Sequence, residues 1–233
     1  MLMKYKDGHA YTTAPDEVLA SPTTARKAHL ALKRAGDVGL SVVLLVICAP
    51  IIGLAALLVR LTSKGPAFYS QVRMGLDGKP FTTYKLRSMV VDSEAKTGAV
   101  WATADDPLIT TVGKFLRLSH VDELPQLWNV IKGEMSLVGP RPERPEFLPE
   151  LEEAFPDYRT RLQVRPGITG LAKIQCSADT DLSTVGQKLA YDRYYIRRLS
   201  IWLYARIITF TFLYLFLEVP LRFARAVLLL IDK

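Results

Sequence analysis

Residues 40–61, LSVVLLVICAPIIGLAALLVRL, hold no charge before Arg60. That length matches one bilayer crossing, which takes about 20 apolar residues. The run starts too late and is too long for a cleaved secretory signal. Two details argue against a plain span. Pro50 stands at its middle with Gly53 close behind, and a proline inside a helix removes a backbone hydrogen bond and clashes one turn back. Basic residues also flank both ends, Lys33 and Arg34 before and Arg60 and Lys64 after, whereas the positive-inside bias expects one basic side. The expected geometry is a re-entrant membrane hairpin over residues 31–62 that enters, breaks at Pro50 and returns, leaving both ends on the cytoplasmic side. A kinked ordinary span is the competing reading.

The rest of the chain divides around that segment. Residues 1–30 are polar and without periodicity, a loose arm whose one candidate helix lies near Asp16–Leu19. From Gly65 the pattern turns mixed α/β. Asp77-Gly78 reads as a hairpin turn, and FTTYKLRSM (81–89) alternates as a strand with Lys85 and Arg87 on one face, where a solvated strand face is the bland alternative. Residues 199–233 carry Arg206, Glu218, Arg222 and Arg225, a break at Pro220 and many aromatics, which suits helices lying in the membrane interface. A core helix competes there. The expected fold is α+β and helix-rich: one cytosolic domain over 63–198, anchored by the hairpin and by amphipathic C-terminal helices.

Composition narrows the chemistry. A net charge of +7 on a chain that is 49% hydrophobic suits an anionic membrane surface or a phosphorylated substrate. The basic residues are scattered and no nucleic-acid-binding motif accompanies them, so no nucleic-acid partner is expected. Cys48 and Cys176 are far apart, and His9, His29 and His120 are dispersed, so neither a disulfide framework nor a His- or Cys-based metal centre is indicated.

SHVDELPQLWNVIKGEMSLVGPRP (119–142) carries the chemistry. Leu124, Leu127, Trp128 and Ile131 fall on one helix face and Gly133 stands at a C-terminal cap, predicting a helix from about Asp122 to Lys132 with Pro125 in its first turn. Ser119 and Asp122 have the spacing of a helix start, which accounts for one acid. It does not account for Glu123, because neighbours on a helix point about 100° apart. Two splayed acids can divide roles, one facing a substrate atom and one facing a hard cation. Oxygen-only donors suit Mg²⁺, which takes one or two carboxylates and completes its shell with substrate phosphate and water. Arg117 and Arg141, the latter fixed between two prolines, offer guanidinium forks for phosphate, with ion pairing inside the fold as the bland alternative. The P-loop, the dinucleotide-binding glycine motif and the nucleophile elbow are all absent.

These residues resemble the monotopic phosphoglycosyl transferases, the bacterial sugar transferases that begin glycoconjugate assembly. The resemblance covers about residues 31–210 and rests on KRAGD (33–37, with Lys33, Arg34 and Asp37), the run with its central Pro50, GPAFYSQVRMGLDGKPFTTYKLRSM (65–89), residues 119–142, RPGITG (165–170) and YDRYY (191–195). It implies transfer of a sugar 1-phosphate from a UDP-sugar to polyprenyl (undecaprenyl) phosphate, with UMP released and Mg²⁺ required, at the cytosolic face of the bacterial inner membrane. It implies that Asp122 is the nucleophile, forming a phosphosugar-aspartyl intermediate, and that Glu123 holds Mg²⁺ with Asp122 beside it. Lys85 is expected on substrate phosphate, and Asp192 in the site without a defined role. Membrane lipids are expected partners, and a homodimer is left open.

The sequence departs from the family pattern at His120, at Leu118 where a basic residue is frequent, at Ala49-Pro50 in place of Ser-Pro, at LAKIQ (171–175) and at Tyr204. A Mg²⁺-dependent nucleotide-sugar hydrolase and a membrane-anchored nucleotide-sugar-binding scaffold are the competing functions.

Overall fold

One helix, α1, runs 39 residues from Thr24 to Thr62 in the computed structural model, which describes residues 24–91, 93, 98, 106–176 and 182–218. The candidate helix at Asp16–Leu19, and Pro220, Arg222 and Arg225, lie outside the described residues. Residues 29–62 of α1 are long and apolar enough to cross a membrane. Lys33, Asp37, Ser41, Ala55 and Val59 are buried along one face, with Leu44 and Leu45 half-buried between them, a spacing of three and four that stays on one side of a helix. The opposite face exposes Val46, Ile47, Leu54 and Leu61.

The reversal expected at Pro50 is not seen, because α1 continues through it. Proline removes only one helical hydrogen bond, whereas the buried stripe gains packing on both sides of it, and Pro50 itself faces outward where its ring displaces no core side chain. Both ends of α1 contact the same folded unit. Near its start, Arg34 donates to the Val130 and Ile131 carbonyls at 2.7 and 3.1 Å, satisfying the free end of a later helix. Near its end, Ala55 and Val59 pack with Leu86 and Leu116.

Strands β1 (Phe68–Met74) and β2 (Pro80–Leu86) form an antiparallel pair that sets Tyr69 opposite Lys85. The turn between them bears out the Asp-Gly reading: Asp77 and Gly78 have φ of 56° and 71°. The strand stops at Leu86, short of the expected Met89, so alternation no longer governs Arg87. Helix α2 (Thr111–Ser119) starts with the Thr110 hydroxyl accepting from the Gly113 amide at 2.9 Å. A side chain at Gly113 would meet the Ser88 carbonyl oxygen at 1.8 Å, so glycine lets α2 lie directly on the chain leaving β2.

Helix α3 (Gln126–Lys132) leads into β3 (Ser136–Val138), which pairs in parallel with β4 (Gly167–Thr169). Between these strands lies α4 (Leu148–Ala154), and after them α5 (Leu171–Gln175), α6 (Leu182–Arg197) and α7 (Ile201–Leu213), the last running into a π-helical turn to Glu218. The glycines of the VGPRP and RPGITG blocks meet where β3 ends: a Cβ on Gly167 would lie 2.1 Å from the Gly139 nitrogen.

The main core joins Val130, Met135, Val138, Ile196 and Ile207 with Leu40, Leu44 and Leu45 of α1, so α1 and α7 share one hydrophobic interior with the segment between them. Helix α7 presents both characters weighed from its sequence. Tyr204 and Ile207 are buried in the core, while Trp202 is 78% exposed.

A polar cluster is buried in this interior. The Asp37 carboxylate accepts from Lys33 Nζ at 3.1 Å, Ser136 Oγ at 2.8 Å, the Leu137 amide at 3.1 Å and Tyr204 Oη at 2.9 Å. Lys33 also donates to Ser136 Oγ and lies 5.0 Å from the centre of the Tyr204 ring. The KRAGD block thus fastens α1 to β3 and α7.

Candidate active site

Asp122 and Glu123 sit on a 3-10 turn, Val121–Glu123, and not in the first turn of α3. The helix expected from Asp122 is shortened because α2 ends at Ser119 and His120 adopts a left-handed φ of 58°. Ser119 does not cap the next element, since its hydroxyl donates back to the Phe115 and Leu116 carbonyls. Asp122 therefore takes no capping role with it. The change of direction at His120 turns both carboxylates inward, and both residues are 7% exposed.

Three cations from three parts of the chain converge on Glu123. Lys85 of β2 and Arg141 of the loop after β3 each donate to Oε1 at 3.0 Å, and Lys173 of α5 donates to Oε2 at 2.5 Å. Asn129 fixes the strand that carries Lys85: its Nδ2 donates to the Thr82 carbonyl at 2.7 Å, and its Oδ1 accepts from the Tyr84 amide at 3.3 Å. Arg161 braces Arg141 from behind by donating to its carbonyl at 3.1 Å, and Asp192 pairs with Arg161 at 2.9 Å. Asp192 accordingly supports the Arg141 loop through Arg161.

Asp122 is the opposite case. No hydrogen bond or salt bridge reaches its carboxylate among the described residues. Burial, with the neighbouring charge of Glu123, pushes its pKa up to about 6 against the pull of Lys85, Arg117 and Lys173. Burial alone would raise Glu123 as well, but Lys173, Lys85 and Arg141 outweigh it and hold Glu123 well below the usual carboxylate range. Adjacent acids are thus separated into a free carboxylate and a permanently ionised anchor.

The remaining expected residues are distributed differently. Arg117 donates to Ser88 Oγ at 3.0 Å while its charge acts on Asp122. Arg87 does not join the site: its guanidinium donates to the Ser63 and Lys64 carbonyls and to Ser63 Oγ, closing the end of α1. Lys33, Arg34 and Asp37 hold α1 to the domain, and Pro50 lies on the exposed face. Lys173 is the site residue that sequence reasoning missed. It stands 50 positions from Glu123, and its one local signal is that it is the single charge within LAKIQ.

No cluster of three or more His, Cys, Asp or Glu side chains occurs among the described residues. The two carboxylates of Asp122 and Glu123 fit a hard cation that draws the rest of its shell from phosphate and water. The positive charge around them, from Lys85, Arg117, Arg141 and Lys173, fits an anionic substrate.

The sequence profile of the bacterial sugar transferase family matches residues 28–218. The chain belongs to that family. A Bacillus subtilis (strain 168) relative, provisionally named an undecaprenyl-phosphate N-acetylgalactosaminyl 1-phosphate transferase, is 49% identical over 142 residues, which is 61% of this chain and 78% of that protein. The UDP-glucose:undecaprenyl-phosphate glucose-1-phosphate transferase of Klebsiella pneumoniae is 43% identical over 185 residues, 78% of this chain and 40% of that protein. The exopolysaccharide production protein PSS of Rhizobium leguminosarum bv. phaseoli is 40% identical over 184 residues, 77% of this chain and 92% of that protein. This sugar transferase thus spans less than half of the Klebsiella relative and most of the Rhizobium one. The matched span takes in α1 from residue 28 onward, the whole cation cluster and α7.

Proposed function

We propose that the protein transfers a sugar 1-phosphate from a UDP-sugar to polyprenyl (undecaprenyl) phosphate, as the first membrane step of glycoconjugate synthesis. One observation carries the mechanism: a buried carboxylate without a partner among the described residues, Asp122, stands beside a carboxylate that three cations hold in place. In the first step an Asp122 oxygen bonds to the phosphorus that carries the sugar as the bridging bond to UMP breaks, and UMP leaves with that electron pair. In the second, an oxygen of the lipid phosphate bonds to the same phosphorus and the Asp122 carboxylate leaves. Lys85, Arg141 and Lys173 orient the diphosphate and neutralise its charge. Glu123, with Asp122 beside it, would hold Mg²⁺, which when bound supplies further neutralisation of phosphate charge.

The same reading seats the chain on one leaflet, at the cytosolic face of the bacterial inner membrane. A helix crossing a bilayer has its ends about 30 Å apart on opposite sides. Here both ends of α1 pack on one domain, Arg34 on α3 and Val59 against Leu86 and Leu116, so the domain would have to cross as well. A shallow seating instead gives the lipid the outward face of α1, with Trp202, Phe216 and Leu217 at the C-terminal side.

Intact-protein mass spectrometry of the detergent-solubilised chain, mixed with Mg²⁺ and UDP-glucose or UDP-N-acetylgalactosamine without lipid, tests the covalent step. The expected adduct equals one phosphosugar, maps to Asp122 and disappears when polyprenyl phosphate is added. Absence of an adduct despite turnover in the presence of lipid would establish direct transfer, and steady UMP release without lipid would establish a hydrolase.

The raised pKa of Asp122 adds a pH dependence. The ionised carboxylate attacks, so activity is lost as pH falls through the group's own pKa of about 6. Donor kcat/KM should therefore fall about tenfold per pH unit below that point. A profile flat from pH 5 to 8 would remove Asp122 ionisation from the reaction.

A further inference from the structure

The two oxygens of Glu123 are held unequally. Oε1 accepts from both Lys85 and Arg141, whereas Oε2 accepts from Lys173 alone. The first two donors are braced, Lys85 by the strand that Asn129 pins and Arg141 by Arg161 and Asp192. Lys173 is different. No such brace holds it: its other side-chain hydrogen bond among the described residues is to the Ile168 carbonyl at 3.1 Å, and a lysine ammonium on a four-carbon stem can swing without moving its helix. Oε2 is therefore the Glu123 oxygen that can be vacated at least structural cost.

We propose that Lys173 and a divalent cation compete for Glu123 Oε2, so that loading the ion releases the Lys173 ammonium to the diphosphate of the donor. The proposal rests on the reading above in which Glu123 takes the metal. An ion arriving at Oε2 meets an ammonium 2.5 Å from its ligand oxygen, and like charges cannot share that position. Without donor, the displaced ammonium returns to water and the ion binds weakly. With donor present, the diphosphate accepts the ammonium, so donor and metal each raise the other's affinity.

The test is Mn²⁺ binding to the solubilised full chain without donor, read as loss of the free-ion electron paramagnetic resonance signal. Lys173→Gln should bind Mn²⁺ about tenfold more tightly than the wild type, equivalent to about 1.4 kcal/mol. Lys173→Arg should stay near the wild-type affinity, and Glu123→Gln should lose the site. Unchanged or weaker binding in Lys173→Gln, with binding lost in Glu123→Gln, would overturn the competition while leaving Glu123 as the metal ligand. Wild-type binding in Glu123→Gln would overturn that assignment and the competition with it. Equal thermal midpoints among the variants show that each compared protein is folded.

Discussion

Asp122→Asn lowers sugar-phosphate transfer by at least about 10³-fold and yet does not weaken the fold. The amide keeps the shape of the side chain and removes the negative charge that the proposed reaction uses. It also removes a burden. Asp122 is buried without a partner among the described residues, and its carboxyl is pushed up to about 6 in the folded chain, from a reference near 3.9 in an unfolded one. The ionised form is therefore less favoured after folding, and the cost is fully present above about pH 6, shrinks as the folded chain takes up a proton below it, and is gone only below the unfolded value near 3.9. At pH 7.5 the neutral amide escapes that cost, on the order of 1–3 kcal/mol. Thermal melts monitored by circular dichroism should place the Asp122→Asn midpoint at or above the wild type at pH 7.5, with the difference about halved at pH 5 and gone only below about pH 4. A variant that retained transfer would end the case for Asp122 as nucleophile. One that melted well below the wild type would show that Asp122 has a structural partner.

Asp37→Ala produces the largest loss of stability. The Asp37 carboxylate binds Lys33, Ser136, the Leu137 amide and Tyr204 in a buried setting, so its removal leaves the buried Lys33 ammonium without its counter-charge. Breaking a buried pair from one side costs about 3–5 kcal/mol, which in a chain of this length lowers the thermal midpoint by about 10 °C. Adding Lys33→Met should recover most of that loss, because no unpaired charge then remains. Additive losses in the double variant would mean that the two residues do not act as a pair, and an unchanged midpoint in Asp37→Ala would mean that the cluster does not fasten α1.

The parts that were legible in the sequence are those set by near neighbours. Asp77-Gly78 predicted a turn with positive φ because an adjacent aspartate and glycine tolerate that backbone, and both residues adopt it. The alternation that placed Lys85 on a strand likewise held as far as Leu86. The Asp122-Glu123 pair could be singled out because capping accounted for only one acid. Three other features depended on what arrives from a distance. Pro50 marks a point of weakness in α1, but whether the helix turns there depends on the stripe from Lys33 to Val59 and the surface that receives it. Arg87 seemed to share a face with Lys85, but the end of α1 recruits its guanidinium once the strand has stopped. Lys173 had no local pattern to mark it, since its significance comes from a carboxylate 50 residues earlier.

The three grips on Glu123 also set an order of events. Its partners lie 38 residues before it, 18 after and 50 after, so the site is built from non-local contacts whose loops must close before any of them contributes. A nascent chain that has emerged only as far as Arg141 holds both carboxylates and two of the cations, but not α5, which brings the third. Asp122 and Glu123 then carry more repulsion than the finished protein allows, and Oε2 of Glu123 lacks its partner. The cation cluster is therefore complete only once residue 173 has been made.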